Sequence, residues 1–337
     1  MPTTICTFNA NNLFVRYRFG STFPGDMSGK SEVEAAGFGY LPMNNDANYD
    51  IFSPKQRELA ARALSRDGQG LPDIICLQEI ESLLALRAFN DKYLDPSYPY
   101  ALLIDSHDPR QIDVGILSRH EIVSVRSHVD EPGEGDDPWL FSRDCVEIEL
   151  ALPSNRRLTL FVNHLKSKFA MSPQERQRAD QRRTLQAARV KEIVRARFPG
   201  AKFNSELFAV VGDFNDEIES GPLDELVKNA GLTNALERLP TLQRWTYWYR
   251  SANSASQIDY LLVSPQLGEL VQNVFVERRG LSFARYLQDG SLGPKKTHLI
   301  TADDGPQTDI GFQFERFEGV TPETYASDHC PVFLTFA

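Results

Sequence analysis

The sequence predicts a single α/β domain, and three observations carry that expectation. Short apolar runs with strand character outnumber helical patterns, and the helices are spread along the chain rather than gathered at one end. No internal repeat or low-complexity tract divides the chain. The 337 residues could hold two ordinary domains, yet large two-sheet and α/β folds reach that size as one unit.

Taken in order, Thr4 to Phe8 reads as the first strand. The stretch from about 15 to 50 is rich in Gly, Asn and Asp but carries several aromatics, which suits an ordered surface insertion better than a linker. Ser53-Pro54-Lys55-Gln56 then announces a helix, with a capping Ser, Pro in the first turn and Gln three residues on. It is expected to run to about Ser65 and stop at Gly68. "PDIICLQEIE" holds a buried strand, Asp73 to Leu77, that ends in Gln-Glu. Further strands are expected at Asp113–Ser118, Ile122–His128, Arg143–Leu150 and Arg157–Asn163. Ser172-Pro173-Gln174-Glu175 repeats the capping signature and opens the longest helix, reaching about Phe198, with Ala187, Val190, Val194 and Phe198 on one face. Strand Leu207–Val211 follows, then a short helix near Leu223–Ala230. Strands around Trp245–Tyr249 and Ile258–Val263 precede a second insertion, about 280 to 326, and the last strand is Val332–Phe336.

Composition narrows the function classes. Apolar residues are 41% and charged residues 24%, the balance of a globular chain with ample core. No apolar run approaches the roughly 18 residues of a membrane span, and the N-terminus lacks a basic segment followed by an apolar one. A cytoplasmic monomer without stable membrane association is the expectation. The four cysteines form no C-x-x-C pair, which points to buried free thiols. The net charge of −10 argues against a non-specific nucleic-acid coat protein, but not against an enzyme that touches a few phosphates.

Chemistry gathers where strands end. "TICTFNANN" gives Asn9, Asn11 and Asn12, "IICLQE" gives Glu79, and "LFVNHLKSK" gives Asn163, His164, Lys166 and Lys168. "AVVGDFND" gives Asp213, Asn215 and Asp216, "YASDHCPVF" gives Asp328 and His329, and "QIDYLL" sets Asp259 where a core residue would be expected. Each has an ordinary explanation alone: a turn for Asn9, a helix cap for Glu79, a structural histidine for His164, an Asx-turn for Asp213. Two histidines, several carboxylates and several amides all leaving strand ends instead suit one shared cleft. These residue types fit metal-assisted phosphoester hydrolysis. A hard cation such as Mg²⁺ or Mn²⁺ wants carboxylate and amide oxygens, with Glu79 as the obvious ligand and Asn9 nearby. A carboxylate-buttressed histidine stabilises charge on phosphate or shuttles a proton. Asp213 and Asn215, two apart on an extended segment, are expected to face the same way, one activating water and the other contacting phosphate. No thiolate spacing suggests zinc, no phosphate-binding Gly-rich loop precedes Lys-Ser/Thr, and no G-x-S-x-G elbow is present.

In this order the motifs "FNANNLF", "LQE", "NHLKSK", "GDFND", "QIDYLLVS" and "SDHCPV" resemble the endonuclease/exonuclease/phosphatase superfamily, the DNase I-like group, over nearly the whole chain. The resemblance implies a four-layer α/β sandwich of two mostly antiparallel sheets flanked by helices, with the active site at one end. It implies a metal site at Asn9, Glu79 and Asp328. It gives water activation and phosphate contact to Asp213 and Asn215, phosphate stabilisation to His164, and orientation of His329 to Asp259. Water activation is shared between Asp213 and His329. Two departures stand out. Asn11 replaces the acid of the repair-nuclease branch, and Gln111 replaces a tyrosine of that branch, a role that Arg110 or Asp113 could fill in part.

Loops choose the substrate. Glu175 to Phe198 carries eight basic residues against three acids, so Arg176, Arg178, Arg182 and Arg183, with Lys166 and Lys168, are expected either to track a nucleic-acid backbone or to form a solvated helix face. "RWTYWYR" offers stacking surfaces to unpaired bases or, equally, sandwich core and rim. The leading expectation is a nuclease acting on DNA or RNA, with Asn11, Arg110, Lys166, Lys168 and Arg176 on the substrate. The alternative is a phosphohydrolase of a small or lipid phosphoester, sphingomyelinase-like or inositol-polyphosphate phosphatase-like, for which the aromatics of the first insertion would supply membrane contact.

Overall fold

Near-continuous apolar runs in the central strands, buried on both faces, build two large sheets. The computed structural model describes residues 2–13, 54–135, 137–249, 254–282, 299–302, 305–306 and 315–337. The predicted insertion at 15–50, the Ser53 cap and much of the 280–326 insertion lie outside the described residues. In chain order the strands are β1 (Thr3–Leu13), β2 (Ile74–Ile80), β3 (Tyr100–Leu103), β4 (Asp113–Ser118), β5 (Glu121–Arg126), β6 (Cys145–Ala151), β7 (Arg157–His164) and β8 (Leu207–Asp213). They continue as β9 (Thr233–Asn234), β10 (Tyr247–Tyr249), β11 (Ser254–Ser256), β12 (Asp259–Val263), β13 (Val271–Val276), β14 (Leu299–Ala302), β15 (Gly305–Pro306) and β16 (Val332–Phe336). The helices are α1 (Pro54–Leu64), α2 (Leu83–Tyr93), α3 (Pro173–Arg197), α4 (Lys202–Ser205), α5 (Asp224–Val227) and α6 (Pro265–Leu270).

The first sheet has the order β13-β16-β1-β2-β4-β3 and the second β5-β6-β7-β8-β12-β9; a small sheet, β10-β11-β14-β15, stands beside them. Each large sheet has one parallel pair, β1 with β2 and β7 with β8, and is otherwise antiparallel. Three apolar clusters fill the gaps between layers. Ile5, Ile74, Cys76, Val114 and Ile116 of the first sheet meet Val146, Leu160, Val162, Val211 and Leu261 of the second in the central core. The residues of opposite parity on the first sheet, Cys6, Phe8, Ile75 and Leu77, pack on α1 and α2. Phe161, Phe208 and Val210 of the second pack on Ala187, Val190 and Val194 of α3. The order helix, sheet, sheet, helix is the four-layer sandwich implied by the resemblance. Each fully buried Val, Leu or Ile contributes roughly 1.5–3 kcal/mol, so these three layers are the main source of stability.

Local signals behave as their chemistry dictates. Ser172 Oγ accepts from the Glu175 amide at 3.2 Å, and Pro173 occupies the first turn of α3. The first strand runs past its predicted end, from Thr3 to Leu13, because β2 beside it gives Asn9 and Leu13 partners. The expected helix at Leu223–Ala230 is a single turn, α5. β3 and β13 have no counterpart in the sequence reading. Both are edges of the first sheet and half-exposed, which dilutes the apolar signal. All four cysteines are free and buried. No helix among the described residues is long and apolar enough to cross a membrane.

Candidate active site

Strand parity brings the polar residues together. Ile5 faces the central core, so Asn9, four residues on, faces the same gap at the end of β1. His164 continues the row Leu158, Leu160, Val162 on β7, and Asp213 continues Leu207, Ala209, Val211 on β8. Asp259 opens the row Leu261, Val263 on β12. β7 and β8 are parallel with His164 opposite Asp213, and antiparallel β12 sets Asp259 opposite Asp213 on the other side. Four polar side chains thus crown one end of the apolar layer between the sheets.

Glu79 breaks the rule. Its parity is that of Ile75 and Leu77, toward the helices, but it stands at φ 64° and the β2–β4 register shifts between Gln78 and Ile80. This bulge turns the carboxylate inward. Its Oε1 accepts from Asn9 Nδ2 at 3.3 Å and its Oε2 from the Asn12 amide at 3.0 Å. Asn11, Asn12 and Asn215 also have left-handed φ, of 49°, 62° and 55°. Such conformations are uncommon outside glycine and concentrate at functional sites.

Asp213 is the hub. Asn9 Nδ2 donates to its Oδ2 at 3.0 Å, and the same oxygen lies 3.5 Å from His164 Nε2 and 3.8 Å from His329 Nε2. The Asn215 amide donates to Oδ1 at 2.8 Å, and Asn215 Nδ2 to Oδ2 at 3.2 Å. Asn215 therefore reaches Asp213 through a tight Asx-type turn, not through the extended segment expected from sequence. His329 Nδ1 pairs with both oxygens of Asp259, at 2.9 and 3.1 Å, and Thr246 Oγ1 donates to Asp259 Oδ2 at 2.7 Å. Ser327 Oγ donates to the Asn9 carbonyl at 2.8 Å and accepts from the His329 amide at 3.0 Å, tying the last loop to β1.

The electrostatics follow from burial and these partners. Burial alone would depress the His329 imidazole, but the Asp259 and Asp213 carboxylates outweigh it and hold it up to about 10, as a cation. Burial pushes Asp213 up, partly offset by His329. Burial drives His164 far below the ordinary imidazole value, helped by the charge of Arg143, so it stays neutral. Burial raises Glu79, and the neighbouring Asp328 carboxylate adds to the rise while His329 opposes it.

These features bear on the expected cation. Glu79 and Asp328 are two acids close enough to repel, with the Asn9 amide bridging Glu79 to Asp213. Two neighbouring carboxylates with surplus negative charge suit a hard divalent ion, to which Asn9 would add the Oδ1 that here accepts from the Asn11 amide. Asp213, Asp259 and His329 also have ligand atoms within 4.8 Å of one another, but there each histidine nitrogen already faces a carboxylate.

The remaining candidates divide. Arg110 is bound to Asp108, its Nε 3.1 Å from Oδ1, with the guanidinium largely exposed and within electrostatic reach of Glu79. Asn11 donates its amide to Asn9 Oδ1 at 3.0 Å and so shapes the loop beside Glu79. Lys166 is half-buried and its amine is lowered by burial and then by Arg143. Lys168 instead pairs with Asp216. Arg182 bonds Asp137 at 2.8 Å and Arg183 bonds Asp216 at 2.7 Å, so these two hold the fold together rather than facing substrate. Arg176 and Arg178 are exposed. Asp113 is buried against Ser106, whose amide donates to it at 3.1 Å.

Sequence reasoning missed the supports. Thr246 lies in the stretch read for its aromatics, and Tyr247 beside it sets its ring 4.7 Å from that of His329. Arg143, fully buried, donates to the Leu165 carbonyl, which also accepts from Asn215 Nδ2 at 3.1 Å. A lone arginine at the start of a strand gave no sign of this.

The chain matches the family described as endonuclease/exonuclease/phosphatase over residues 6–329. No curated protein matches it. Among solved structures it is similar to the human Nocturnin catalytic domain with bound sulfate, at 14% identity and TM-score 0.56, covering 100% of this chain and 94% of that one. An endonuclease/exonuclease/phosphatase family protein from Bacteroides thetaiotaomicron gives 16% identity and TM-score 0.54, covering 100% and 98%. D. rerio TDP2 complexed with a single-strand DNA product gives 14% identity and TM-score 0.51, covering 100% and 99%.

Proposed function

The chain belongs to the endonuclease/exonuclease/phosphatase family, and on that premise we propose that it is a metal-dependent phosphodiesterase that cleaves nucleic acid. Family membership supports phosphoester hydrolysis in general. The observation that carries the finer reading is the single buried oxygen, Asp213 Oδ2, shared by Asn9, Asn215, His164 and His329.

Asn9, Glu79 and Asp328 would hold Mg²⁺ or Mn²⁺, which when bound would supply charge neutralisation on a phosphate oxygen. Asp213 and His329 share the handling of the proton of the attacking water. Burial raises the carboxylate's proton affinity toward that of a useful base, and the imidazolium beside it compensates the charge. Asp259 and Thr246 fix the ring of His329 so that Nε2 points at Asp213. Neutral His164 and the amide of Asn215 contact the phosphate without adding a fixed charge. Arg110, Asn11 and Lys166 line the approach. A single-strand DNA product in the similar D. rerio TDP2, together with Lys166 and the exposed Arg176 and Arg178 that follow His164 in the chain, supports nucleic acid over a small phosphoester.

The test is hydrolysis of single- and double-stranded DNA, RNA, sphingomyelin and inositol polyphosphates in Mg²⁺ and Mn²⁺, with EDTA and His329→Ala as controls. Nucleic-acid cleavage that vanishes in both controls is expected. Turnover of only the lipid or inositol substrates would overturn the nuclease reading and promote the alternative.

A further inference from the structure

The loop that follows His164 carries an unusual pair of side chains. Phe169 is 80% exposed and Met171 86%, the two most exposed large apolar side chains among the described residues. Single exposed apolar residues are ordinary; what sets this pair apart is how nearly complete the exposure of both is, two residues apart on one short loop. The loop is also firmly held, so their exposure is not slack. The Leu165 amide donates to the Asp213 carbonyl at 2.9 Å, and the Lys166 amide to Gln186 Oε1 at 2.8 Å. Arg183 Nη1 donates to the Lys166 carbonyl at 2.8 Å, and the Met171 amide to Glu175 Oε2 at 2.7 Å.

The charges around this pair are arranged unevenly. Along α3, the basic residues Arg182, Arg183, Arg189, Lys191 and Arg197 are each committed to an acid of the fold. Arg176 and Arg178, in the first two turns beside the loop, form no ion pair with a described residue, and neither does Lys166. Cations without an ion pair to a described residue therefore stand on both sides of the exposed ring along the chain, Lys166 before it and Arg176 and Arg178 after it.

We infer that Phe169 and Met171 form a stacking platform for an unpaired base of the substrate strand, with Lys166, Arg176 and Arg178 meeting the phosphates on either side. The inference rests on the nucleic-acid reading above and deepens it: the preferred substrate is a single strand or an unpaired end. A duplex hides its base faces and offers only edges in the grooves, so a flat apolar platform selects a base free to turn over. Phe169 is five residues beyond His164, at most roughly 17 Å along the chain, which places the stacked base within about five nucleotides of the reacting phosphate. A membrane is the weaker occupant. Two side chains bury less apolar surface than a single acyl anchor, which itself gives only marginal binding, and the chain carries a net charge of −10.

The experiment is a cycle in which ring and base are removed separately and together. Wild type, Phe169→Ala and Phe169→Trp act in Mg²⁺ on a single-stranded oligonucleotide and on copies carrying one abasic site at each successive position. For wild type, one abasic position should raise KM by roughly 5- to 150-fold, the range expected for one stacked base. Phe169→Ala should raise KM on the intact strand by a similar factor and lose sensitivity to that position. Phe169→Trp should restore it. Additive effects of ring and base, or a Phe169→Ala KM equal to wild type, would overturn the inference while leaving the nuclease reading intact. A wild type inert on every oligonucleotide but active on bis(p-nitrophenyl) phosphate would overturn the nuclease reading first and this inference with it. Phe169-dependent co-sedimentation with phosphatidylcholine–sphingomyelin vesicles, without an effect on strand KM, would assign the pair to a membrane and overturn it as well.

Discussion

Replacing Asp259 with Asn isolates what a buried charge does for the cluster. The amide keeps the shape of the carboxylate and one acceptor for Thr246, 2.7 Å away, but loses the charge that faces His329 Nδ1 at 2.9 and 3.1 Å. Holding that imidazole up to about 10, against an ordinary 6.5, corresponds to roughly 5 kcal/mol of preference for the cation, and Asp259 is the leading favourable partner. Breaking one buried ion pair typically costs about 3–5 kcal/mol. If most of that loss falls on the transition state, kcat/KM drops roughly 150- to 5,000-fold at 1.36 kcal/mol per tenfold. The stability effect has a definite sign. A histidine raised on folding stabilises fully below its ordinary pKa and loses that contribution as pH rises through about 10, so Asp259→Asn should lower the melting temperature most near pH 6 and least near pH 10. Steady-state kinetics on an oligonucleotide, melting curves at both pH values and an NMR titration of His329 check this. A kcat/KM within tenfold of wild type, with the imidazole still titrating near 10, would refute the pairing.

Three further substitutions probe other levels of the structure. Glu79→Ala should reduce hydrolysis below roughly a thousandth while circular dichroism stays that of the wild type, since the carboxylate is expected to hold the cation; substantial residual activity in Mg²⁺ would remove Glu79 from the metal site. Asp113→Asn should stabilise at alkaline pH. Burial raises this carboxyl to about 6, so its favourable contribution is complete below 3.8 and lost as pH rises through about 6. The wild type then carries up to about 3 kcal/mol of strain at pH 8, and the variant should gain a few degrees there and none at pH 4; an equal gain at both would show that charge is not the cause. Gly212→Ala should destabilise by about 3 kcal/mol or more, because a Cβ there would lie 1.9 Å from the Asn163 carbonyl oxygen at φ 133°. An unchanged melting temperature would mean that β7 and β8 can part at that point without cost.

The parts of the site that follow from alternation were legible in the sequence. Asn9, His164, Asp213 and Asp259 share parity with the apolar residues of their own strands, so a reader who trusts the period of two puts them on one face. Glu79 has the wrong parity, and only its motif context pointed to the cleft; the bulge that turns it inward is a backbone event with no composition of its own. Asn215 was expected on extended chain, but it folds onto Asp213 through a left-handed turn, a conformation that Asn tolerates better than most residues. Charges were the least legible. Lys168 and Arg183 share Asp216 as partner, and Arg182 finds Asp137 forty-five residues away, pairings that only the packed chain creates. The edge strands β3 and β13 escaped for a related reason, since half of each is solvated and their apolar pattern is thin.

The cluster straddles the joint between the two sheets. Asn9 and Glu79 hang from the first and His164, Asp213 and Asp259 from the second, while His329 enters on the loop leading into β16 of the first. The molecule therefore has two clocks. Cohesion within each sheet governs how long the chain remains folded, whereas alignment across the central apolar layer governs how long it remains an enzyme. A slip of one layer over the other by a fraction of a side chain leaves every ladder intact and separates Asp213 from Asn9 and His329. On warming, catalytic lifetime should expire before folded lifetime, and changes to Val162, Val211 or Ile116 deep between the sheets should be felt first as lost turnover.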